Sequence, residues 1–241
     1  IKPALLLIHG FPTSSYDFHG MWAALGEKYR LIAFDMLGYG FSDKPAKWNY
    51  TIHGQADIAE ALMQKLGIGQ AAMLCHDVGD TVGQEIMARF NEGTLCFQLS
   101  RVVMLNGGLF PETHRAILMQ KLMFSPLGPL LSYLGNKAQF SKSLRRVCSD
   151  KLPQADVDAA WELMRLKNGN HRLYQLIRYI QQRRDNRDRW VSALQNFKPP
   201  LAVVDGVDDP VSGAHMVDRF VELVPGRPTV RLPGLGHYPH L

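Results

Sequence analysis

The sequence predicts an α/β domain: a mostly parallel sheet flanked by helices, with an inserted helical lid. Three observations carry this prediction. Short apolar or β-branched runs alternate with stretches of helical periodicity, the pattern of strand–helix–strand units. Strand signals stop from Phe110 to about Phe197, where Pro126, Gly128, Pro129, Gly135 and Pro153 break helical patterns. They resume after Pro199-Pro200, so the helical stretch interrupts the sheet instead of following it.

The elements follow in order. Ala4 to Ile8 (ALLLI) is an uninterrupted apolar run, as a strand buried on both faces requires, and it stops at His9-Gly10. Arg30 to Asp35 reads as the second strand. Ile52 to Leu66 carries Ile58, Ala59, Leu62, Met63 and Leu66 at helical spacing and ends at Gly67, so it is a crossover helix. Ala71 to Cys75 is the third strand. A helix from about Asp80 to Phe90 follows, with Val82, Ile86, Met87 and Phe90 on its apolar side. Val102 to Leu105, Leu201 to Asp205 and Thr229 to Leu232 complete the strands. Residues 1–109 and 198–241 form the core, and residues 110–197 form the lid.

Composition narrows the function classes. With 46% hydrophobic and 20% charged residues over 241 positions, the chain can bury a full core and is not a disordered segment. No apolar run approaches the roughly 20 residues a membrane span needs. Cys75, Cys96 and Cys148 are an odd number without zinc-ligand spacing, which fits a reducing, cytoplasmic setting. Charge is uneven: residues 111–198 hold 16 Lys and Arg against 7 Asp and Glu, the remainder 11 against 15. Arg183, Arg184, Arg187 and Arg189 could attract an anionic surface, but the interleaved Asp185 and Asp188 favour a solvated helix face. Nucleic acid is therefore not an expected partner.

Chemistry concentrates at strand ends. Cys75-His76-Asp77-Val78-Gly79-Asp80 follows a strand, opens a helix and has small residues where a tight turn needs them, the layout of a nucleophile elbow. Its central residue is Asp77. A carboxylate is ionised near neutral pH and can attack an sp3 carbon directly, whereas serine needs a base and attacks carbonyls, so ordinary esterase, lipase and peptidase chemistry is disfavoured. The competing structural role for Asp77 is a helix N-cap, which Asp80 could equally supply. His9-Gly10-Phe11-Pro12, just after the first strand, can aim backbone N–H groups at a developing oxyanion, with Phe11 and Val78 as donors. His9 and His76 themselves read as buried hydrogen-bonding residues. Downstream, Asp208-Asp209-Pro210 and Gly236-His237-Tyr238-Pro239 each follow a strand, giving the chain order nucleophile, acid, histidine.

These residues resemble the α/β-hydrolase superfamily across essentially the whole chain, specifically the branch of epoxide hydrolases and haloalkane dehalogenases that carries an Asp nucleophile. Gly38 to Pro45 (GYGFSDKP) is similar to a loop shared by that branch. His9 to Asp17 (HGFPTSSYD), His76 to Asp80 (HDVGD), Asn106 to His114 (NGGLFPETH) and His237-Tyr238-Pro239 look most like the mesoderm-specific-transcript-like hydrolases within it. The resemblance implies the α/β-hydrolase fold, Asp77 as nucleophile, His237 as base, and Asp209 as its orienting acid, since the family acid stands just before the Pro. It also implies a lid tyrosine that protonates the opening epoxide oxygen; Tyr179 is the match, with Tyr133 and Tyr174 as alternatives. The halide cradle of dehalogenases is missing, because Val78 and Phe11 stand at its positions; Trp161 or Trp190 would restore it only if turned inward. The family's first strands and last helix fall outside this numbering.

The expected function is hydrolysis of an epoxide to a diol through a covalent alkyl-enzyme ester on Asp77, with no cofactor or metal required. The substrate is a small apolar-to-amphipathic molecule and the co-substrate is water. Carbon–halogen hydrolysis by the same residues and a non-catalytic lipid or small-ligand binder are the alternatives.

Overall fold

The computed structural model describes residues 2–148 and 152–241; residues 149–151, inside the expected lid, lie outside the described residues. Six strands form one sheet: β1 (Ala4–Ile8), β2 (Arg30–Ala33), β3 (Gln70–His76), β4 (Gln98–Leu105), β5 (Leu201–Gly206) and β6 (Thr229–Leu232). Their spatial order is β2-β1-β3-β4-β5-β6, and every pairing is parallel. Parallel neighbours need crossovers, and α1 (His19–Lys28), α2 (Ile52–Lys65), α3 (Val78–Asn91) and α11 (Ala214–Leu223) supply them around the sheet. Between β4 and β5 the chain is helical: α4 (Leu118–Phe124), α5 (Gly128–Leu134), α6 (Lys137–Cys148), α7 (Gln154–Arg165), α8 (Leu173–Leu176), α9 (Tyr179–Asp185) and α10 (Arg187–Asn196). Among the described residues no helix is long and apolar enough to cross a membrane.

The strand order fixes where a ligand can sit. From β1 the chain first goes outward to β2, then returns to β3 on the opposite side, so the connections leaving β1 and β3 diverge and leave a crevice at their carboxyl ends. His9-Gly10-Phe11 follows β1 and Asp77 follows β3, which places both sequence candidates at that switch point. The sheet is buried because both faces are covered: all five residues of β1 and Ala71 through His76 are buried. On α3, eleven consecutive residues from Val78 to Ala88 are buried, since this helix lies between the sheet, α2 and α10.

Two boundaries differ from the sequence reading. The second strand ends at Ala33, not Asp35, because Asp35 leaves the ladder to accept hydrogen bonds from the N–H groups of Ser15 and Phe41 at 2.8 and 2.7 Å. The helix expected from about Asp80 begins at Val78, directly after Asp77.

Candidate active site

Asp77 sits at φ 50°, ψ −107°, in the region L-residues avoid, at a cost of about 1–3 kcal/mol that the surrounding structure must offset. The turn is possible because Gly79 lies against β1: a Cβ there would collide with the Ile8 carbonyl. The Asp77 carboxylate does not cap α3, and neither does Asp80, whose two oxygens are buried without partners. Instead Asp77 Oδ2 accepts the Phe11 N–H at 2.9 Å and faces His237 Nε2 at 3.9 Å. Val78 is the first helical residue, so its N–H belongs to the first-turn amides that have no intrahelical acceptor.

On its other side the imidazole is held firmly. His237 Nδ1 meets Asp209 Oδ2 at 2.7 Å. Asp209, 3% exposed, also accepts from the Val211 N–H, the Ser212 N–H and hydroxyl, and the Asn106 amide, at 2.8, 3.1, 2.7 and 3.2 Å. With so many donors it is held down at about 2, against the upward push of burial and chiefly by the charge of His237. Its neighbour Asp208 is exposed and accepts only from the Gly234 N–H, 3.1 Å away. Geometry thus places Asp209, and not Asp208, against His237.

His9 and His76 are buried hydrogen-bonding residues. His9 Nε2 accepts the Met36 N–H at 3.0 Å, so its Nδ1–H donates to the Gly10 carbonyl, while His76 Nε2 donates to the His237 carbonyl at 2.8 Å. The latter fixes the loop that carries His237. Asp17, His76 and His240 form the group among the described residues that could hold a metal ion, their ligand atoms lying within 4.8 Å of one another. That group packs behind the imidazole, outside the cavity Asp77 faces.

Two contributors escape sequence reasoning. Asn106, at the end of β4 with φ 35°, bonds both peptide groups of Gly206 at 2.7 and 3.0 Å in addition to Asp209, and so ties the ends of β4 and β5 to the acid. An Asn before two glycines at a strand end is a signal for such a turn. The other is Arg183. The expectation of a solvated basic face fails there: the side chain is 2% exposed, donates from Nε to Thr81 Oγ1 at 2.7 Å and from Nη2 to the Asp77 carbonyl at 3.0 Å, and lies 3.6 Å from Asp77 Oδ1. Gly108 makes room for it, since a Cβ there would strike Nη1. No local pattern distinguishes Arg183 from Arg184.

Electrostatically, burial raises Asp77, but His237 and then Arg183 outweigh it and hold the carboxyl well below the usual range. Burial likewise lowers His237, yet Asp209 and Asp77 raise it well above the ordinary histidine value. Both shifts favour an imidazolium between two carboxylates, with Arg183 as a second cation. Asp80 goes the other way: burial and the Asp77 charge raise it far above a normal carboxyl.

The cavity beside Asp77 and His237 has a volume of about 440 Å³ and is walled mainly by apolar side chains of the insert, including Met119, Met123, Leu131, Trp161 and Ile177. Tyr179 is not on that wall. It is buried behind Phe11, 5.7 Å between ring centroids, and its hydroxyl accepts from Gln120 Nε2 at 3.3 Å; Gln120 is what faces the cavity. Tyr133 is exposed and stacks on His171, and the backbone N–H of Tyr174 binds Ser132. Trp190 is turned away, its Nε1 donating to Glu85 at 2.9 Å, whereas Trp161 lines the cavity.

Comparison with known proteins agrees with this architecture. LipZ of Mycobacterium tuberculosis is 36% identical over 242 residues, covering 99% of this chain and 83% of LipZ. The mesoderm-specific transcript homolog protein of Bos taurus is 39% identical over 250 residues, covering 98% of this chain and 74% of the relative. The haloalkane dehalogenase DbeA from Bradyrhizobium elkani superposes with a TM-score of 0.80 at 21% identity, covering 99% of this chain and 84% of DbeA, a likeness of fold alone. A family model described as the alpha/beta hydrolase fold matches residues 3–241, and with the six-stranded parallel sheet and the strand-end carboxylate and histidine, the chain belongs to that family.

Proposed function

We propose that this α/β hydrolase opens epoxides through a covalent ester on Asp77, with the helical insert acting as a cap over the reaction. The observation that carries the reading is a buried carboxylate on a strained elbow, facing a cavity with an imidazole at 3.9 Å. A carboxylate in that position is a nucleophile toward an electrophilic carbon. Asp77 attacks a ring carbon, the carbon–oxygen bond breaks, and the released oxygen takes a proton. Tyr179, kept neutral because burial raises its hydroxyl, is the acid we assign; Gln120 swings aside to admit it.

The ester then changes the electrostatics. Asp77 has become neutral, so His237 loses one of the two carboxylates that hold its proton and falls back toward the range of a general base. Its proton passes through water to the Tyr179 phenolate; the neutral imidazole then deprotonates a water, which attacks the Asp77 carbonyl carbon, and the N–H groups of Phe11 and Val78 stabilise the tetrahedral oxyanion. Collapse breaks the bond between the carbonyl carbon and the alkyl oxygen, the departing alkoxide takes the proton from His237 to complete the diol, and the Asp77 carboxylic acid passes its own proton to His237, which restores the resting pair.

Replacing His237 with Gln tests this. The first step survives and the second stops, so intact mass rises by one substrate and the adduct maps to the Asp77 peptide. An unmodified His237→Gln protein that still turns over would overturn the assignment. A second reading, carbon–halogen hydrolysis, is favoured by Trp161 on the cavity wall, whose indole N–H could hold a halide. Halide release against diol formation from matched substrates separates the two.

A further inference from the structure

The cations of the insert divide into used and unused. Arg189 meets Glu85 and Glu92, and Arg187 meets Glu112 at 2.6 Å and Asp188 at 3.1 Å. Arg115, Lys121 and Arg184 are exposed, and among the described residues none has an acidic side chain in ion-pair range or a side-chain hydrogen bond. These three line one groove of about 400 Å³, together with His114, Gln120, Phe124 and Ile180. Both ring nitrogens of His114 are buried there without a partner. A neighbouring groove shares Arg184 and adds Arg187 and Arg219, against a single acid, Glu112, which both already occupy.

The groove adjoins the site. Gln120 lines both it and the cavity beside Asp77, so one side chain, held by the Ile117 N–H at 3.0 Å and the Tyr179 hydroxyl at 3.3 Å, separates a basic compartment from an apolar one. Unpaired cations facing water at the edge of an apolar chamber match a molecule with a negative head and a hydrocarbon chain. We propose that Arg115, Lys121, Arg184 and His114 bind the carboxylate or phosphate head of an amphiphile whose chain passes Gln120 into the cavity. This rests on the cavity being the substrate chamber assigned above, and it makes the substrate class anionic amphiphiles. His114 donates one neutral hydrogen bond; burial and then Arg183 lower it to about 4.

Binding is measured on Asp77→Asn protein by calorimetry, so that no turnover enters the result. The probes are dodecanoate, dodecyl phosphate, dodecanol, inorganic phosphate and phosphatidylserine vesicles. At about 0.02 M salt the two anionic chains are expected to bind at least about tenfold tighter than dodecanol, an advantage that shrinks at about 0.5 M. Lys121→Ala and Arg184→Ala each cost the anions about fivefold and leave dodecanol unchanged. Equal affinity for dodecanol and dodecanoate, or an anion preference that survives both substitutions, overturns the proposal. Inorganic phosphate binding as tightly as dodecyl phosphate would make the groove a free-phosphate site, and it too overturns the amphiphile. So would Lys121→Ala and Arg184→Ala effects confined to phosphatidylserine vesicles, which would mark a membrane-facing surface. Failure of the covalent mechanism shows instead in the His237→Gln mass and leaves these affinities standing.

Discussion

The strand-end cluster and the helical insert are built on opposite principles. Around Asp209 five donors converge on one buried carboxylate, and the backbone of three strands holds them in place. In the insert, α4 and α5 leave Leu118, Leu127, Leu130, Tyr133 and Leu134 between 56% and 66% exposed. A buried polar network that is fully satisfied has one arrangement, whereas half-exposed apolar helices can repack at small cost. The difference sets a rigid strand-end cluster against a half-exposed insert. Among the side chains that join them, Arg183 reaches from α9 to the elbow, and Glu85 on α3 accepts from Arg189 and Trp190 of α10 at 2.8 and 2.9 Å.

Substitutions at the rigid end are expected to have the largest effects. Asp77→Asn removes the charge that attacks, and turnover should fall by at least about 10⁴ while the melting temperature falls at neutral pH, because a carboxyl held low by His237 and Arg183 contributes stability there and its loss leaves those cations without it. Asp209→Asn should lower breakdown of the ester by about 10³ or more while ester formation continues, read by rapid-quench mass spectrometry. Persistence of the ester in the Asp209→Asn protein at levels no higher than wild type would blur the distinction between the two half-reactions.

The bridging residues come next. Arg183→Met should slow ester formation by about 10- to 100-fold. Asp77 is held low partly by this cation, so its loss raises the carboxyl and moves the acid limb of the alkylation rate to higher pH. A slow variant with an unmoved acid limb would reduce Arg183 to packing. Glu85 is pushed up by burial but held at about 2 by Arg189, Trp190 and Arg89. A depressed acid contributes stability above its unfolded value that is lost as pH falls toward 2, so the bolt between insert and core should open in acid. Glu85→Gln should remove that acid transition and cost about 3 kcal/mol at neutral pH, measured by denaturant titration.

The smallest effects belong to the loose end. Leu130→Ala, 56% exposed, should change stability by no more than about 0.5 kcal/mol. A loss several times larger would mean that this face is covered in solution, and the contrast between core and insert would need redrawing.

Much of this was readable from residue order because the strand-end chemistry is local. A buried parallel strand announces itself as an apolar run, and the tight turn after it demands Gly79 beside Asp77, so fold and elbow are written in short windows such as Cys75 to Asp80. The order of Asp77, Asp209 and His237 along the chain is likewise a local reading repeated three times. Arg183 is not local. Its neighbours in sequence, Arg184 and Asp185, are exposed, and only the docking of α9 over α3 decides that this one arginine is buried on the nucleophile while the next faces a groove.

The same limit applies to Tyr179, Trp190 and Trp161. Sequence placed all three in the insert, but side chains on short helices joined by irregular turns point where packing between helices sends them. Tyr179 ends behind Gln120, Trp190 on Glu85 and Trp161 on the cavity wall. Sequence by itself determined the strands and the identity of the carboxylate that follows the third of them, because each follows from hydrogen bonding and sterics among residues a few positions apart. Tertiary structure alone decided the strand order with the crevice it opens, which arginine charges the elbow and which cations stay free, because those outcomes depend on desolvation and distance between segments far apart in the chain, 106 residues for Arg183 and Asp77, and neither is encoded in any window of the chain.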